Sequence, residues 1–206
     1  MIGRTPFVAL AQASLVLGVC VALSGCVTVL PKQKEVRLYR LTTRAPSAAS
    51  SAGRATNLIL ERLQAPSESA GDGILTVSGT EVAYLSTGRW AAPAESLVHE
   101  AFQADVSAID PSVQWAAAGD PADFRMGVVL TRFDVDVADA RLPVITVTGQ
   151  IEVRTAEGRL AQTCPVAVQD QATNGTMSAV AKAFSQAVDD LATRATVCLG
   201  AVSSQP

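Results

Sequence analysis

Apolar and polar residues alternate most regularly in residues 144–154. From Ile145 onward every second position is apolar or glycine, and the positions between them are polar. This pattern is typical of a strand with one packed face and one wet face in an antiparallel sheet. A turn sequence follows at residues 156–159, so residues 160–168 are predicted to return as the hairpin partner of that strand.

Four other segments carry strand patterns, at residues 36–41, 55–63, 74–85 and 124–137. The third follows a Gly-Asp-Gly turn and is predicted to contain one or two short strands, broken near Ser78-Gly79. In the fourth segment the alternation shifts by one residue near Leu130-Thr131, which predicts that the apolar face of the strand changes there.

Two segments carry the apolar spacing of amphipathic helices. The first helix is predicted to begin at Pro93, where the missing N–H of proline has no cost. The last is predicted to run from capping side chains at residues 174–176 to about Val197. Their apolar stripes comprise Leu97, Val98, Ala101, Phe102 and Val106 in the first helix, and Val180, Phe184, Ala187, Val188, Leu191 and Ala195 in the second. The predicted fold is therefore α+β, a mostly antiparallel or mixed sheet with two amphipathic helices packed on one face.

Residues 1–25 have the organisation of a signal peptide. Arg4 supplies the positive start, and residues 13–23 form an apolar run of eleven, short of the roughly twenty that a transmembrane helix requires. Leu23-Ser24-Gly25-Cys26 comes next and resembles the lipobox of bacterial lipoproteins, which are acylated on the cysteine and cut before it. Cys26 is therefore the predicted lipidation site and would carry fatty acids such as palmitate. The alternative is an ordinary secretory signal followed by an incidental cysteine.

Lipidation at Cys26 would hold the chain at a membrane, because several acyl chains together give stable anchoring. Val27, rather than aspartate, follows the cysteine. By resemblance to enterobacterial sorting rules, this favours the inner leaflet of the outer membrane, with the protein facing the periplasm. Removal of 25 of the 206 residues leaves 181, which suits one domain. We expect a tether at residues 26–35, a single domain at residues 36–200 and a disordered tail at residues 201–206. An Ala/Ser-rich flexible loop is predicted at residues 42–54.

Charge argues against a nucleic-acid partner. Without Arg4 the chain has 15 basic and 19 acidic residues, a net charge of −4, and no basic run occurs beyond residues 31–40. Two cysteines remain once Cys20 leaves with the signal and Cys26 is acylated. Cys164 and Cys198 would form a disulfide in an oxidising compartment, closing a loop of 35 residues worth about 3.8 kcal/mol on the chain-entropy model. The alternative is two separate buried thiols.

Residues suited to catalysis or metal binding are few, and no phosphate-binding, nucleophile-elbow or zinc motif occurs. His99 could act as a general base, although a solvated or capping histidine explains it better. Asp134, Asp136 and Asp139 could hold a calcium ion, although a solvated strand end explains them better. We therefore expect no enzymatic activity, no cofactor and no metal.

Arg89-Trp90 is the more informative pair, because the chain has only two tryptophans. One interpretation is a site that contacts a partner or a lipid. The other is a tryptophan that closes one end of the core, with the arginine stacked over it.

Residues 36–197 resemble the ABC-type transport auxiliary lipoprotein family. The order and spacing of several short segments carry the resemblance: Tyr39-Arg40-Leu41, Val82-Ala83-Tyr84, Arg89-Trp90-Ala91, Pro93, Leu97-Val98, Ala101-Phe102, residues 130–133, Gly158-Arg159, residues 180–184 and Leu191. The chain departs from the family pattern in its tail, Val197-Cys198-Leu199-Gly200, and in a proline segment reduced to Pro46.

The resemblance implies a non-enzymatic accessory lipoprotein of an ABC lipid transport system of the mammalian-cell-entry (MCE) or paraquat-inducible type. Its expected partner is the MCE-domain protein of the transporter, which it would meet at the outer membrane. Homo-oligomerisation is compatible with the resemblance, and the sequence does not decide it. The alternative function is that of a structural or assembly lipoprotein of another envelope complex. A third interpretation is a lipid-anchored hydrolase. It would need a nucleophile with a general base, and the single histidine, predicted to lie in a helix, is a weak candidate for that base.

Overall fold

The computed structural model describes residues 35–45 and 55–203. These residues form one mixed sheet and two helices. In chain order the elements are β1 (Arg37–Tyr39), β2 (Thr56–Gln64), β3 (Gly73–Ser78), β4 (Glu81–Trp90), α1 (Ala94–Ile109), β5 (Val113–Trp115), β6 (Phe124–Asp136), β7 (Val144–Thr155), β8 (Leu160–Gln171) and α2 (Met177–Ser203).

The sheet is organised around β6, the longest strand. Along one edge β6 pairs with β7, and β7 pairs with β8, in an antiparallel meander. Along its other edge β6 pairs with β2 over its first half and with β3 at its end, so the sheet forks there. One branch continues from β2 to β5, and the other continues from β3 through β4 to β1.

The predicted α+β class is confirmed, and the sheet is mixed. Four of the seven pairings in the described part of the chain are parallel, namely β1–β4, β2–β5, β2–β6 and β3–β6. The expected predominance of antiparallel pairs holds only for the two hairpin-connected regions, β3–β4 and β6–β7–β8. Parallel neighbours come from distant parts of the chain and leave no local turn signal, so sequence patterns do not show them.

The predicted change of apolar face in β6 is confirmed by a bulge at Thr131. Leu130 pairs with Gly149 of β7, and the next pair is Arg132 with Thr148, so Thr131 is left over. Because an extra residue shifts the alternation by one, Met126 and Val128 before the bulge face the same core as Phe133 and Val135 after it.

Both helices pack on the core face of the sheet. Their predicted apolar stripes are buried, apart from Leu97, which is partly buried. Pro93 precedes α1 as predicted, and α2 begins after Thr176, whose Oγ1 accepts a hydrogen bond from the backbone N–H of Ala179 at 3.3 Å. The helices also contact each other, so a single apolar core lies between them and the sheet.

The structure corrects the sequence analysis at the C-terminus and at one short strand. Helix α2 ends at Ser203 rather than near Val197, so residues 201–203 are helical and not part of a tail. Val202 is buried in the core, which explains the extension. Strand β5 was not predicted, because three residues are too few to show an alternation.

The segment after β1 is held against both helices, in contrast to the flexible loop expected from residue 42. The Thr42 N–H donates to Oγ of Ser185 in α2, and the Arg44 N–H donates to Oδ1 of Asp105 in α1. The Arg44 guanidinium forms a two-point ion pair with Asp189 of α2, at 2.8 and 2.6 Å. We call residues 41–45 the strap; residues 46–54 lie outside the described residues.

Candidate functional site

The predicted lipidation site lies outside the described residues. Cys26, the signal at residues 1–25 and all but the last residue of the tether belong to the part of the chain that the structure does not describe. No described helix is long and apolar enough to cross a membrane.

Cys164 and Cys198 are joined by a disulfide between β8 and the last third of α2. Cys198 is buried within the core, and Cys164 packs against its edge. The bridge links two elements that are 34 residues apart in sequence and fixes the end of α2 on the meander.

Trp90 lies at the end of β4 and is buried, with 3% of its surface exposed. Its indole ring meets Phe184 of α2 edge-on, with ring centres 5.2 Å apart, and Phe133 of β6 at 6.5 Å. Trp90 therefore closes the core. Because the helix that covers the sheet also covers its side chain, burial favours the core interpretation of Trp90 over a contact with a partner.

Arg89 is exposed and points to the opposite face of the sheet from Trp90. Its guanidinium forms an ion pair with Asp72 at 3.2 Å and does not stack on the tryptophan. The Trp90 N–H donates to the Asp72 carbonyl, and the Ala94 N–H donates to the Gly71 carbonyl. The predicted turn at residues 71–73 thus fixes the end of β4 and the start of α1.

Around Arg89 lies a surface that the sequence analysis did not single out. Four large apolar side chains, Val36, Leu38, Val82 and Tyr84, are exposed there, with Leu38 66%, Val82 62% and Tyr84 57% accessible. We call these four residues the β1–β4 patch. A cleft of about 320 Å³ lies beside Tyr84 and is also lined by Leu85 and Arg89.

The β1–β4 patch lies on the face of the sheet opposite the helices. Side chains of paired residues in neighbouring strands point to the same face. Arg89 pairs with both Leu38 and Gly73, so all three share the open face. Tyr84 shares it as well, because its ring covers Gly73: an added Cβ there would lie 2.6 Å from Cδ1 of Tyr84.

A bulge in β4 keeps the patch on one face. Gly73 pairs with Arg89 and Leu75 pairs with Tyr84. A step of two residues along β3 is therefore matched by a step of five residues along β4. Val77, which lies on the same face as Gly73 and Leu75, pairs with Val82 and brings it to the same surface. In the sequence, the signs of this surface were two pairs of apolar residues at alternate positions, Val36 with Leu38 and Val82 with Tyr84.

The structure places His99 on α1 and the three aspartates of the acidic cluster at the end of β6 and just after it. His99 lies part-buried on α1, in a shallow cleft of about 420 Å³ beside Glu95 and Glu100. Asp134 forms a two-point ion pair with Arg132, and Asp136 and Asp139 accept hydrogen bonds from the backbone N–H groups of Ala138 and Arg141. No metal-binding group of three histidine, cysteine or acidic side chains occurs in the described ranges.

The pKa values of two carboxyl groups near the helices are raised. Burial raises the pKa of Asp105, although the hydrogen bond from the Arg44 N–H lowers it and Asp189 raises it further. Burial also raises the pKa of Asp170 on β8, and the charge of Asp190 adds to that effect. Oδ2 of each residue is buried without a hydrogen-bond partner. Both groups lie in the packed part of the fold, away from the β1–β4 patch.

A comparison with protein-family models gives one match. A family model described as "ABC-type transport auxiliary lipoprotein component" matches residues 39–195. A comparison with curated protein sequences gives no match.

Two solved structures share the fold. One is a protein of Xanthomonas campestris assigned to the family model DUF330, with a TM-score of 0.68 and 20% identity; the match covers 83% of this chain and 100% of that one. The other is an uncharacterised protein with a TM-score of 0.64 and 15% identity, covering 81% of this chain and 99% of that one. At these identities the likeness concerns the fold alone.

Proposed function

The chain belongs to the ABC-type transport auxiliary lipoprotein family, and from that membership we propose a specific role for it. It is a non-enzymatic accessory component of an MCE-type lipid transport system. It is anchored through Cys26 in the inner leaflet of the outer membrane, and it docks the MCE-domain protein of the transporter at that membrane.

The family match carries this proposal. It starts at residue 39, thirteen residues after Cys26, so the matched domain directly follows the lipobox and a short tether. Acylation at that cysteine would supply the membrane attachment that the word lipoprotein in the family description requires. The tether at residues 26–35 would leave the folded domain in the periplasm within reach of a partner.

The fold suits a docking component. A rigid sheet closed on one face by two helices offers fixed surfaces, and the disulfide between β8 and α2 suits the oxidising periplasm. We expect the partner to bind the domain away from its attachment to the membrane, and Arg89 stays a candidate for a contact with partner or lipid.

In-cell photo-crosslinking tests the partner. Probes at the exposed positions Leu160 and Val197, which lie on β8 and α2, are placed in the full-length lipoprotein. The proposal expects an adduct with an MCE-domain protein. Adducts with unrelated envelope proteins alone would favour a structural or assembly lipoprotein instead.

A deletion strain tests the transport role. Loss of the gene should sensitise cells to detergents, and the wild-type chain should restore the barrier while Cys26→Ala should not. An intact barrier in the deletion strain, with the transporter still assembled, would count against the proposal. Mass spectrometry of the N-terminal peptide checks the acyl groups on Cys26 directly.

A further inference from the structure

We infer that the β1–β4 patch lies on the surface of the bilayer that holds the lipid anchor, so that the domain docks on the membrane in one orientation. The inference rests on the proposed anchoring of Cys26. It adds a second contact with the membrane, made by the folded domain itself.

The exposed apolar residues are concentrated in one place. Seven large apolar side chains are exposed in the described residues, and four of them form the β1–β4 patch: Val36, Leu38, Val82 and Tyr84. Scattered apolar residues are normal on a protein surface, whereas a contiguous group marks an interaction site. The other three, Leu142, Leu160 and Val197, lie on different elements.

The distribution of charge along the chain favours a membrane as the surface that the β1–β4 patch contacts. Residues 26–40 carry Lys32, Lys34, Arg37 and Arg40 against Glu35, a net charge of +3. Residues 41–206 carry 11 basic and 18 acidic residues, a net charge of −7. A basic segment beside a lipid anchor in an otherwise acidic protein matches an anionic lipid surface, which attracts Lys and Arg close to it.

The basic and apolar residues occupy the same place in the fold. Arg40 is exposed just after β1 and alternates with Leu38, which lies on the open face. Arg37 is exposed at the start of this edge strand, where it pairs with Gly88 and points to the other face. Arg89 of β4 is paired beside Leu38. Apolar side chains that enter the boundary between headgroups and acyl chains, with cations beside them, are the usual features of a protein surface that binds a membrane.

The length of the tether places the patch near the bilayer. Nine residues lie between Cys26 and Val36, and even a fully extended chain over those ten steps spans only about 35 Å. Since β1 is the first element of the domain and an edge strand, the anchor joins the domain at the edge of the sheet where the patch lies.

Fluorescence quenching in vesicles tests the contact. The acylated, full-length lipoprotein is reconstituted in vesicles of phosphatidylethanolamine and phosphatidylglycerol, with an environment-sensitive label at Leu38→Cys. Val197→Cys is the matched control, because Val197 is 70% exposed and lies on α2. Cys164 and Cys198 are bridged and Cys26 is acylated, so the introduced thiol takes the label. Nitroxide lipids should quench the label at residue 38 roughly twofold or more above the control if the side chain enters the boundary region.

Charge variants test the electrostatic part. Replacement of Arg37 and Arg40 by glutamine should lower the ratio of docked to undocked protein roughly fivefold for each residue. Arg141→Gln with Arg159→Gln, at exposed positions in the β6–β7 and β7–β8 connections, should leave the ratio unchanged. An equal loss in both double variants would mean that only overall charge matters and would overturn a specific docked face.

Three results would overturn the inference. Equal quenching at residues 38 and 197 would show that the patch does not meet the lipid. A label at residue 38 shielded from aqueous and lipid quenchers alike would show that protein covers the patch, whether a partner, a second copy or the N-terminal segment of this chain. An N-terminal peptide without acyl groups would contradict both the proposed function and this inference. An acylated chain whose label is not quenched would contradict this inference alone.

Discussion

The meander of β6, β7 and β8 and the branch of β3, β4 and β1 both consist of strands with alternating apolar residues, but only the meander has most of these residues buried. The meander of β6, β7 and β8 pairs long strands under α2, and its core residues Ile145, Val147, Ile151 and Val153 are fully buried. The branch of β3, β4 and β1 places the ten-residue β4 between two shorter strands, is interrupted by a bulge and exposes Leu38, Val82 and Tyr84. Alternation shows that a strand has two distinct faces, but what covers each face depends on the elements packed there.

This contrast indicates that one region stabilises the fold and the other is available for contacts. Burial of large apolar side chains provides most of the folding free energy, so the meander and α2 should dominate stability. The open face of β1 and β4 adds little to the core and is available for contacts. Substitutions in the two regions should therefore differ sharply in their effect on unfolding.

The largest expected effect is at Phe184. Its ring contacts Phe133, with ring centres 4.9 Å apart, and meets Trp90 edge-on. Phe184→Ala should lower the free energy of unfolding by about 3–5 kcal/mol, because it removes a buried ring and leaves a cavity. Urea unfolding checks this, with Val197→Ala as the exposed control. A loss under about 1 kcal/mol would mean that α2 does not hold the core together.

Loss of the disulfide should come next. Replacement of Cys164 and Cys198 by alanine should cost about 2–4 kcal/mol, because the unfolded chain regains the freedom of a 34-residue separation. Thermal unfolding of the variant, compared with the wild-type chain before and after reduction, measures the change. Equal stability of the oxidised and reduced wild type would contradict a stabilising bridge.

Gly149 tests the bulge that keeps β6 on the core. An added Cβ there would overlap the Val129 carbonyl oxygen and lie 2.8 Å from the Leu130 Cα. Gly149→Ala should cost about 1–3 kcal/mol, since backbone atoms must move. Gly127→Ala is the matched control, because nothing lies within 4 Å of a Cβ at that position of the same strand pair. Similar losses in the two variants would place the cost in the strands generally and not at the bulge.

Burial of Asp105, the α1 carboxyl that accepts a hydrogen bond from the strap, should make stability depend on pH. Its pKa is raised in the folded state, mainly by burial. An acid with a raised folded pKa contributes stability that is full below its unfolded pKa of about 4 and is lost as pH rises through the folded value. Asp105→Asn should therefore reduce the fall in stability that the wild type shows as pH rises from about 4. The pKa of Asp170 is raised as well. Measuring Asp170→Asn beside Asp105→Asn separates the contributions of the two carboxyl groups to the pH dependence. An unchanged pH profile in the Asp105 variant would contradict this assignment.

The smallest effect on folding is expected at the β1–β4 patch. Leu38→Asn with Val82→Asn should change the free energy of unfolding by no more than about 0.5 kcal/mol, because both side chains are exposed. Urea unfolding of this variant beside Phe184→Ala gives the direct comparison of the two regions. A loss of more than about 2 kcal/mol would show that the patch supports the fold rather than a contact.

The sequence alone was enough for the elements with strong local patterns. Strands β6, β7 and β8, the change of apolar face near Leu130-Thr131, both helices and their buried stripes follow from periodicity and capping, since these depend on neighbouring residues. The lipobox at Cys26 and the family resemblance were also read from short segments of the chain. The resemblance is confirmed by the match to the family model.

Only the tertiary structure decided how the sheet forks, that Trp90 is buried and that Val82 and Tyr84 share the open face with Leu38. These features depend on parallel pairings between distant segments and on a bulge in β4. The strap shows the same limit, because a stretch from residue 42 that reads as a loop is held by Ser185, Asp105 and Asp189, 61 to 145 residues away. Local patterns report which side chains are apolar, whereas long-range contacts determine which of them are covered.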